Sequence, residues 1–287
     1  MPSSREARPA VSIVGPGRWG SVLASNLHRA GWKVESLVLR PLGRATPRLS
    51  KLARQIDSSI QRLDQSPSLG PLVWLTVPDD AIADVAAQLT SSRDWQGTTT
   101  FHSSGALTSD ALSALRERGA HVAAVHPGMT FVSRAAPNLT SVPFGTEGDP
   151  PAVRLARRVV TDLGGFAVVI RKRDKVLYHA FDTFASPLLV ALMAAMEEVG
   201  IAAGIGKPQL RTMAGTLLQQ TLTNYLAHGA ARAFSGPFIR GDVATVRQHL
   251  QALRRMPAAR EAYLALARVA VKDLPVRNSA SMKKVLR

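Results

Sequence analysis

Short runs of strand-type apolar residues recur through the first 170 positions, at 11–14, 33–39, 72–77, 98–101, 121–125, 142–145 and 167–170. Between them, at 20–30, after Asp79-Asp80, after Ser109-Asp110 and at 151–163, apolar residues return every three or four positions, as on a helix with one buried face. Strands alternating with helices predict a parallel, doubly wound sheet. Asp80 and Ser109 stand as N-cap candidates for two of the helices. Past Ile170 the strand pattern stops. The rest of the chain reads as helices at 174–203, 208–228, 242–255 and 258–273, punctuated by Gly204-Ile205-Gly206 and Ser235-Gly236-Pro237. The fold class is α/β: a doubly wound, mostly parallel sheet followed by an all-α C-terminal domain. We place a disordered tail at 1–10, the sheet domain at 11–171 and the helical domain at 172–287, with 279–287 frayed.

Composition narrows the chemistry. The 287 residues include no cysteine, which excludes disulfides, thiolate metal sites and cysteine nucleophiles. The longest greasy stretch, 184–196, runs into Glu197-Glu198 before reaching the ~20 apolar residues of a membrane span. Residues 1–10 lack the apolar core of a secretory signal. A soluble, cytoplasmic protein without a membrane partner is expected. Lys and Arg number 36 against 20 Asp and Glu, a net charge of +16. The first 150 residues hold 15 basic and 12 acidic side chains, net +3, and the remainder 21 and 8, net +13. Such a field favours anions. The basic residues are scattered singly and aromatics are only 5%, so no stacking platform for nucleic acid is expected; a small-molecule substrate fits better.

The most informative local feature is Gly15-Pro16-Gly17-Arg18-Trp19-Gly20, which follows an apolar strand and opens a helix. The first glycine permits a tight turn, the second lets backbone approach a pyrophosphate, and the third allows close helix–strand contact. NAD sites usually carry an acid about 20 residues on, at the end of the second strand. Here that strand ends in Leu39-Arg40, with Arg44 close behind and Glu35 only mid-strand. Arg40 and Arg44 suit a 2′-phosphate, so NADP(H) is the expected cofactor.

In an open α/β sheet ligands lie beyond the carboxyl ends of the strands. Three such ends are polar. Val77-Pro78-Asp79-Asp80 places a turn beside the cofactor, with Val77 and Pro78 as contacts. His102-Ser103-Ser104-Gly105 and His126-Pro127-Gly128 offer two histidines and two serines for one cleft, Ser104 also within reach of the cofactor. At the start of the helical domain Lys175 and His179 share a helix face at i, i+4 and are acid/base candidates. Arg240, in the loop 235–242, is a candidate for an anionic substrate, and Asp242 for an N-cap. No metal site is expected.

The motifs GPGRWG, TVPDDAI, HSSGAL, HPGMTF, FGTEGD, KVLYHAFDTFAS and SGPFIRGD occur in the order seen in a family that this chain resembles. These are Rossmann-like NADP oxidoreductases with a C-terminal domain of unknown function, of a deazaflavin-dependent type. More distantly the chain is similar to pyrroline-5-carboxylate reductases, ketopantoate reductases and 6-phosphogluconate dehydrogenases. The resemblance spans about residues 11–271. It implies a Rossmann-type sheet, a 6-phosphogluconate dehydrogenase-like C-terminal domain, a homodimer formed through the apolar helix at 184–196, and a deazaflavin as a second redox partner. It also implies a Lys-x-x-x-Asn acid/base pair at Lys175, with His179 standing where the amide is expected. Ser186 falls in the substrate-binding stretch, but Pro187 replaces an asparagine of the relatives.

Two functions are compatible with these features. In one, NADPH exchanges a hydride with a C=O or C=N carbon while Lys175 or His179 handles the proton, and His102 or His126, with Ser103 and Ser104, orients the heteroatom. In the other, motivated by Pro187, the chain keeps the nucleotide fold as an inactive sensor or scaffold.

Overall fold

The structure, a computed structural model, describes residues 8–131 and 137–287. Of the tail placed at 1–10, residues 1–7 lie outside the described residues. The chain divides into two compact units, Met1–Asp182 and Thr183–Arg287.

The first unit runs β1 (Val11–Val14), α1 (Arg18–Arg29), β2 (Val34–Leu39), α2 (Pro47–Gln55), β3 (Ser59–Arg62), β4 (Leu72–Leu75) and α3 (Ile82–Leu89). It continues through β5 (Thr99–His102), α4 (Ser113–Arg116), β6 (His121–Pro127), β7 (Pro143–Gly148), α5 (Pro150–Asp162), β8 (Phe166–Val169) and most of α6 (Lys175–Ala185). The sheet order is β3-β2-β1-β4-β5-β6-β7-β8. All neighbours are parallel except β6 and β7, which are antiparallel. The expected Rossmann-type, mostly parallel sheet is therefore present. Its central strands β1 and β4 are buried throughout because helices cover both faces. Ile13, Trp74 and Phe101 pack toward α1, α2 and α5; Val14, Leu75 and Val122 pack toward α3 and α4. The strand order reverses between β1 and β4, the place where open α/β sheets take their ligands.

Two elements carry too little apolar signal to be read from sequence. β3, Ser-Ile-Gln-Arg, pairs only with β2 at the sheet edge. α2 buries only Leu49 and Ala53 and is capped by the Thr46 hydroxyl. The expected caps also shift. Asp80 lies inside a 3₁₀ turn, Asp79–Ala81, and Ser109 opens another, Ser109–Leu112, which Thr108 caps by accepting from the Asp110 N–H. A tight 3₁₀ entry moves the capping position upstream.

The second unit holds α7 (Pro187–Ala202), α8 (Lys207–Ala233), α9 (Pro237–Arg240), α10 (Val243–Ala252), α11 (Pro257–Asp273) and α12 (Ser279–Val285). The helix expected at 174–203 is broken at Ser186 (φ −127°, ψ −81°), because Pro187 lacks an N–H and its ring disfavours a helical residue before it. α8 continues past 228 through a kink at Gly229, whose φ of 74° suits glycine. Asp242 caps α10 as expected, its carboxylate accepting from the Thr245 N–H at 3.1 Å. The terminus expected to fray instead forms α12, because Met282 and Leu286 bury against Val246 and Leu250. Among the described residues, 172–202 is one helical stretch long and apolar enough to cross a membrane, with mean hydropathy 1.6 and 6% of its window buried. That stretch is counted across the break at Ser186, which is why the shorter run 184–196 understated it.

Candidate active site

The glycine turn joins β1 to α1. Gly15 takes a φ of +82°, and a side chain on it would come within 2.5 Å of Val77 Cγ1 in the turn after β4. Gly20 packs so closely on Thr76 that a methyl group would meet its Oγ1 at 2.5 Å. The Thr76 hydroxyl donates to the Gly15 carbonyl at 2.7 Å and so ties the ends of β1 and β4 together. Gly17 is different: a side chain there would meet only the Gly15 carbonyl, at 3.9 Å, so the turn opens outward at this position. α1 has no side-chain cap and no acid in its first turn, which leaves its N–H groups for an anion. The turn thus has the form a dinucleotide diphosphate needs. Arg18, Arg40 and Arg44 are exposed, the latter two just beyond β2. Trp19 turns inward. Its indole N–H donates to Ser103 Oγ at 2.8 Å, and its ring packs 4.6 Å from Phe131.

The ends of β1, β4, β5 and β6 come one after another across the sheet and carry in turn the glycines, Val77, His102 and His126. His102 is fully buried. Its Nε2 donates to the Thr108 carbonyl at 3.0 Å and its Nδ1 accepts from the Ser104 N–H at 3.1 Å. Burial, helped by the charge of Lys175, pulls its pKa down to about 4. With both nitrogens engaged inside the loop, His102 holds the turn rather than a substrate. Ser103 accepts from two indoles, Trp19 and Trp74, each at 2.8 Å. Ser104 donates to Asp79 Oδ2 at 2.6 Å, accepts from the Leu107 N–H at 2.9 Å, and offers its carbonyl to Lys175 Nζ at 3.1 Å.

Lys175 opens α6 and is 1% exposed. It makes no ion pair among the described residues, and its ammonium sits 5.3 Å from the centre of the Tyr178 ring. Burial lowers its pKa to about 8, against the pull of Glu147, Asp182 and Asp79. Glu147 is itself buried and held by the Ser109 N–H and hydroxyl at 2.8 and 2.7 Å. Of the three ammonium hydrogens only one is used among the described residues, so two donors remain.

His126, beyond β5's end on the neighbouring strand, meets α6. Its Nδ1 lies 3.0 Å from Tyr178 Oη and 3.4 Å from Asp182 Oδ2. Burial, with Lys175 and His179, pulls its pKa down to about 4. Burial and the Asp182 carboxylate push the Tyr178 phenol up, and burial raises Asp182. Gly105 and Gly145 admit this cluster. A side chain on Gly105 would collide with His179 and His126, and one on Gly145 with the Tyr178 ring.

The fold therefore brings together Lys175, His179, His126 and Ser104, and at its other end Gly15, Pro16, Gly17, Arg18, Gly20, Val77 and Pro78. Ser186 and Arg240 belong to the second unit. Sequence reasoning missed Tyr178 and Asp182. The signal was present: Lys175, Tyr178, His179 and Asp182 stand at i, i+3, i+4 and i+7, a polar stripe along one helix face. Among the described residues no group of three or more His, Asp or Glu is placed to hold a metal ion.

Fold and turn are those of a Rossmann-type α/β protein. Residues 2–127 match the Rossmann-like domain family, and residues 142–270 match the family described as a domain of unknown function, DUF2520. The two matches lie one after the other along the chain. No curated protein matches it. Among solved structures it is similar to protein BF3122 of Bacteroides fragilis, at 17% identity over 91% of this chain and 97% of that one, with a TM-score of 0.73. It is similar to protein TM1727 of Thermotoga maritima, at 21% identity over 96% and 98%, TM-score 0.70. A third is a reductive aminase from Aspergillus terreus in complex with NADPH and ethyl-5-oxohexanoate, at 14% identity over 98% and 100%, TM-score 0.66.

Proposed function

We propose that the protein is an NADPH-dependent oxidoreductase acting on a C=O or C=N group of a small, anionic substrate. The observation that carries this reading is the buried Lys175, which has no ion pair and two spare donors among the described residues, held at strand ends adjacent to an open glycine turn. The Aspergillus terreus neighbour with NADPH bound supports it.

The backbone around Gly15, Gly17 and Gly20 would hold the diphosphate at the N-terminus of α1. Arg40 and Arg44 would pair the 2′-phosphate, and Val77-Pro78 would bound the cofactor on the β4 side. The cofactor, when bound, supplies or takes the hydride. Lys175 hydrogen-bonds the reacting heteroatom and polarises its double bond; the histidines beside it handle the proton. A deazaflavin as second redox partner, a cytoplasmic setting and a homodimer complete the proposal. The dimer is supported by α6, whose outer residues Val176, Leu177 and Phe181 are 73, 72 and 67% exposed.

The test is ligand-free protein titrated with NADPH and NADH, then assayed for NADPH oxidation with a ketone, a cyclic imine, a 2-keto acid and a deazaflavin. NADPH is expected to bind more tightly than NADH. Binding of neither would end the oxidoreductase reading, and binding without any turnover would favour the inactive sensor that Pro187 motivates.

A further inference from the structure

Resting on the oxidoreductase reading above, we propose that His126 is the catalytic base of this site, meeting the hydrogen on the substrate's heteroatom with Nε2, while Asp182 and Tyr178 are positioning residues that set its tautomer. Three observations converge. The two ring nitrogens have different surroundings. Nδ1 faces Tyr178 Oη at 3.0 Å and Asp182 Oδ2 at 3.4 Å, whereas Nε2 makes no hydrogen bond among the described residues and the side chain keeps 19% of its surface open. Next, Asp182 Oδ2 is buried with no hydrogen bond of its own. A buried carboxylate oxygen requires a donor. The Tyr178 hydroxyl has one hydrogen and shares it with the same carboxyl group. With the Tyr178 hydrogen given to the carboxyl group, the 3.0 Å contact between Nδ1 and Tyr178 Oη is made by a hydrogen on Nδ1, beside Asp182 Oδ2 at 3.4 Å, and this leaves the ring lone pair on Nε2. Finally, a side chain on Gly105 would lie 3.0 Å from both Nε2 and Cε1 and 2.7 Å from His179 Cδ2, so glycine there keeps a side chain of its own off that ring edge, which faces His179.

Two other basic groups of the cluster have separate roles: His102 has both nitrogens bonded, and Lys175 is the donor assigned above to the heteroatom. The groups facing His126 are Lys175, Tyr178, His179 and Asp182 from α6, Asp79 from the turn after β4, and His102 from β5. Burial first, then Lys175, His179 and His102, keep the ring neutral near pH 7 against the pull of Asp79, and the neutral form has a lone pair to offer.

In the oxidative direction the heteroatom–hydrogen bond breaks, its electron pair becomes the second bond of C=X, and the proton forms an N–H bond at Nε2. The hydride that balances the step is the one assigned above. In reduction the same proton returns from Nε2 to the heteroatom.

The test begins with ¹⁵N-histidine NMR of the full chain at pH 7, the ring assigned by its loss in His126→Gln. The wild type is expected in the Nδ1–H form, retained in Tyr178→Phe and converted to Nε2–H in Asp182→Ala. A wild-type ring in the Nε2–H form overturns the proposal without reference to turnover. Turnover is read as NADPH oxidation with ethyl 5-oxohexanoate, a cyclic imine and a 2-keto acid. His126→Gln is expected to lose about 100- to 10,000-fold in kcat with NADPH binding unchanged; full kcat in that variant removes the base while leaving the oxidoreductase reading intact. Asp182→Ala is expected to lower kcat at constant KM and to move the pH limb assigned to His126 downward, since the carboxylate no longer supports the imidazolium. A residue that merely held the helix would scale the profile without moving its limb. Wild-type protein that neither binds nor oxidises NADPH overturns the reading, and the base assignment with it.

Discussion

A lysine entombed with no ion pair among the described residues is the most informative single residue of this chain. Its pKa, about 8, lies below the 10.5 of a free lysine, so between those values the unfolded chain holds more protons than the folded one. Folding stability should therefore rise with pH across that window. Lys175→Met should be the more stable protein at pH 7, by about 1–3 kcal/mol, and should lose that advantage by pH 10 in urea denaturation. It should also bind NADPH normally and turn over at least about 100-fold more slowly. Arg40→Ala carries a second expectation. Removing a charge-assisted bond worth about 1.5–3 kcal/mol should weaken NADPH binding roughly 10- to 100-fold and leave NADH binding nearly unchanged, as measured by calorimetry. At Gly145 an added methyl meets the Tyr178 ring at 2.6 Å. Gly145→Ala should cost about 1–3 kcal/mol through overpacking, read as a lowered urea midpoint.

Among the elements, the plainest to read in the sequence are the central strands, buried on both sides. Strands such as Val-Ser-Ile-Val and Leu-Val-Trp-Leu advertise themselves because both faces exclude water. The edge strand β3 needs no such composition, and α2 is held mostly by its cap. The glycine turn was legible because only glycine meets its steric demands. The rest of the site was half legible. The Lys175–His179 spacing was visible, but the partners of Tyr178 and Asp182 come from β6, more than 50 residues upstream, and no local pattern announces that meeting. The same reasoning separates His102 from His126. The two look alike in sequence, and only the Thr108 carbonyl and the Ser104 amide show that one of them is fully occupied. α12 was mistaken for a frayed end because its anchor is one fully buried side chain, Met282. Met282→Ala should accordingly destabilise the second unit by about 2–5 kcal/mol, measured by hydrogen exchange in α10 and α12.

For the molecule as a whole, α6 is inverted: its polar stripe is turned to the protein and its apolar stripe to the outside. An apolar face of this kind calls for a covering surface, which the proposed homodimer would supply. Sedimentation should report a dimer, and Val190→Asp, at a residue 59% exposed on α7, should shift it toward monomer. A separate consequence comes from where the indoles lie. All four tryptophans, Trp19, Trp32, Trp74 and Trp95, belong to the first unit, and the second has none. Intrinsic fluorescence thus reports one half of the polypeptide alone, while circular dichroism at the helical minimum sums over both. Any gap between the two melting curves measures how independently the halves come apart.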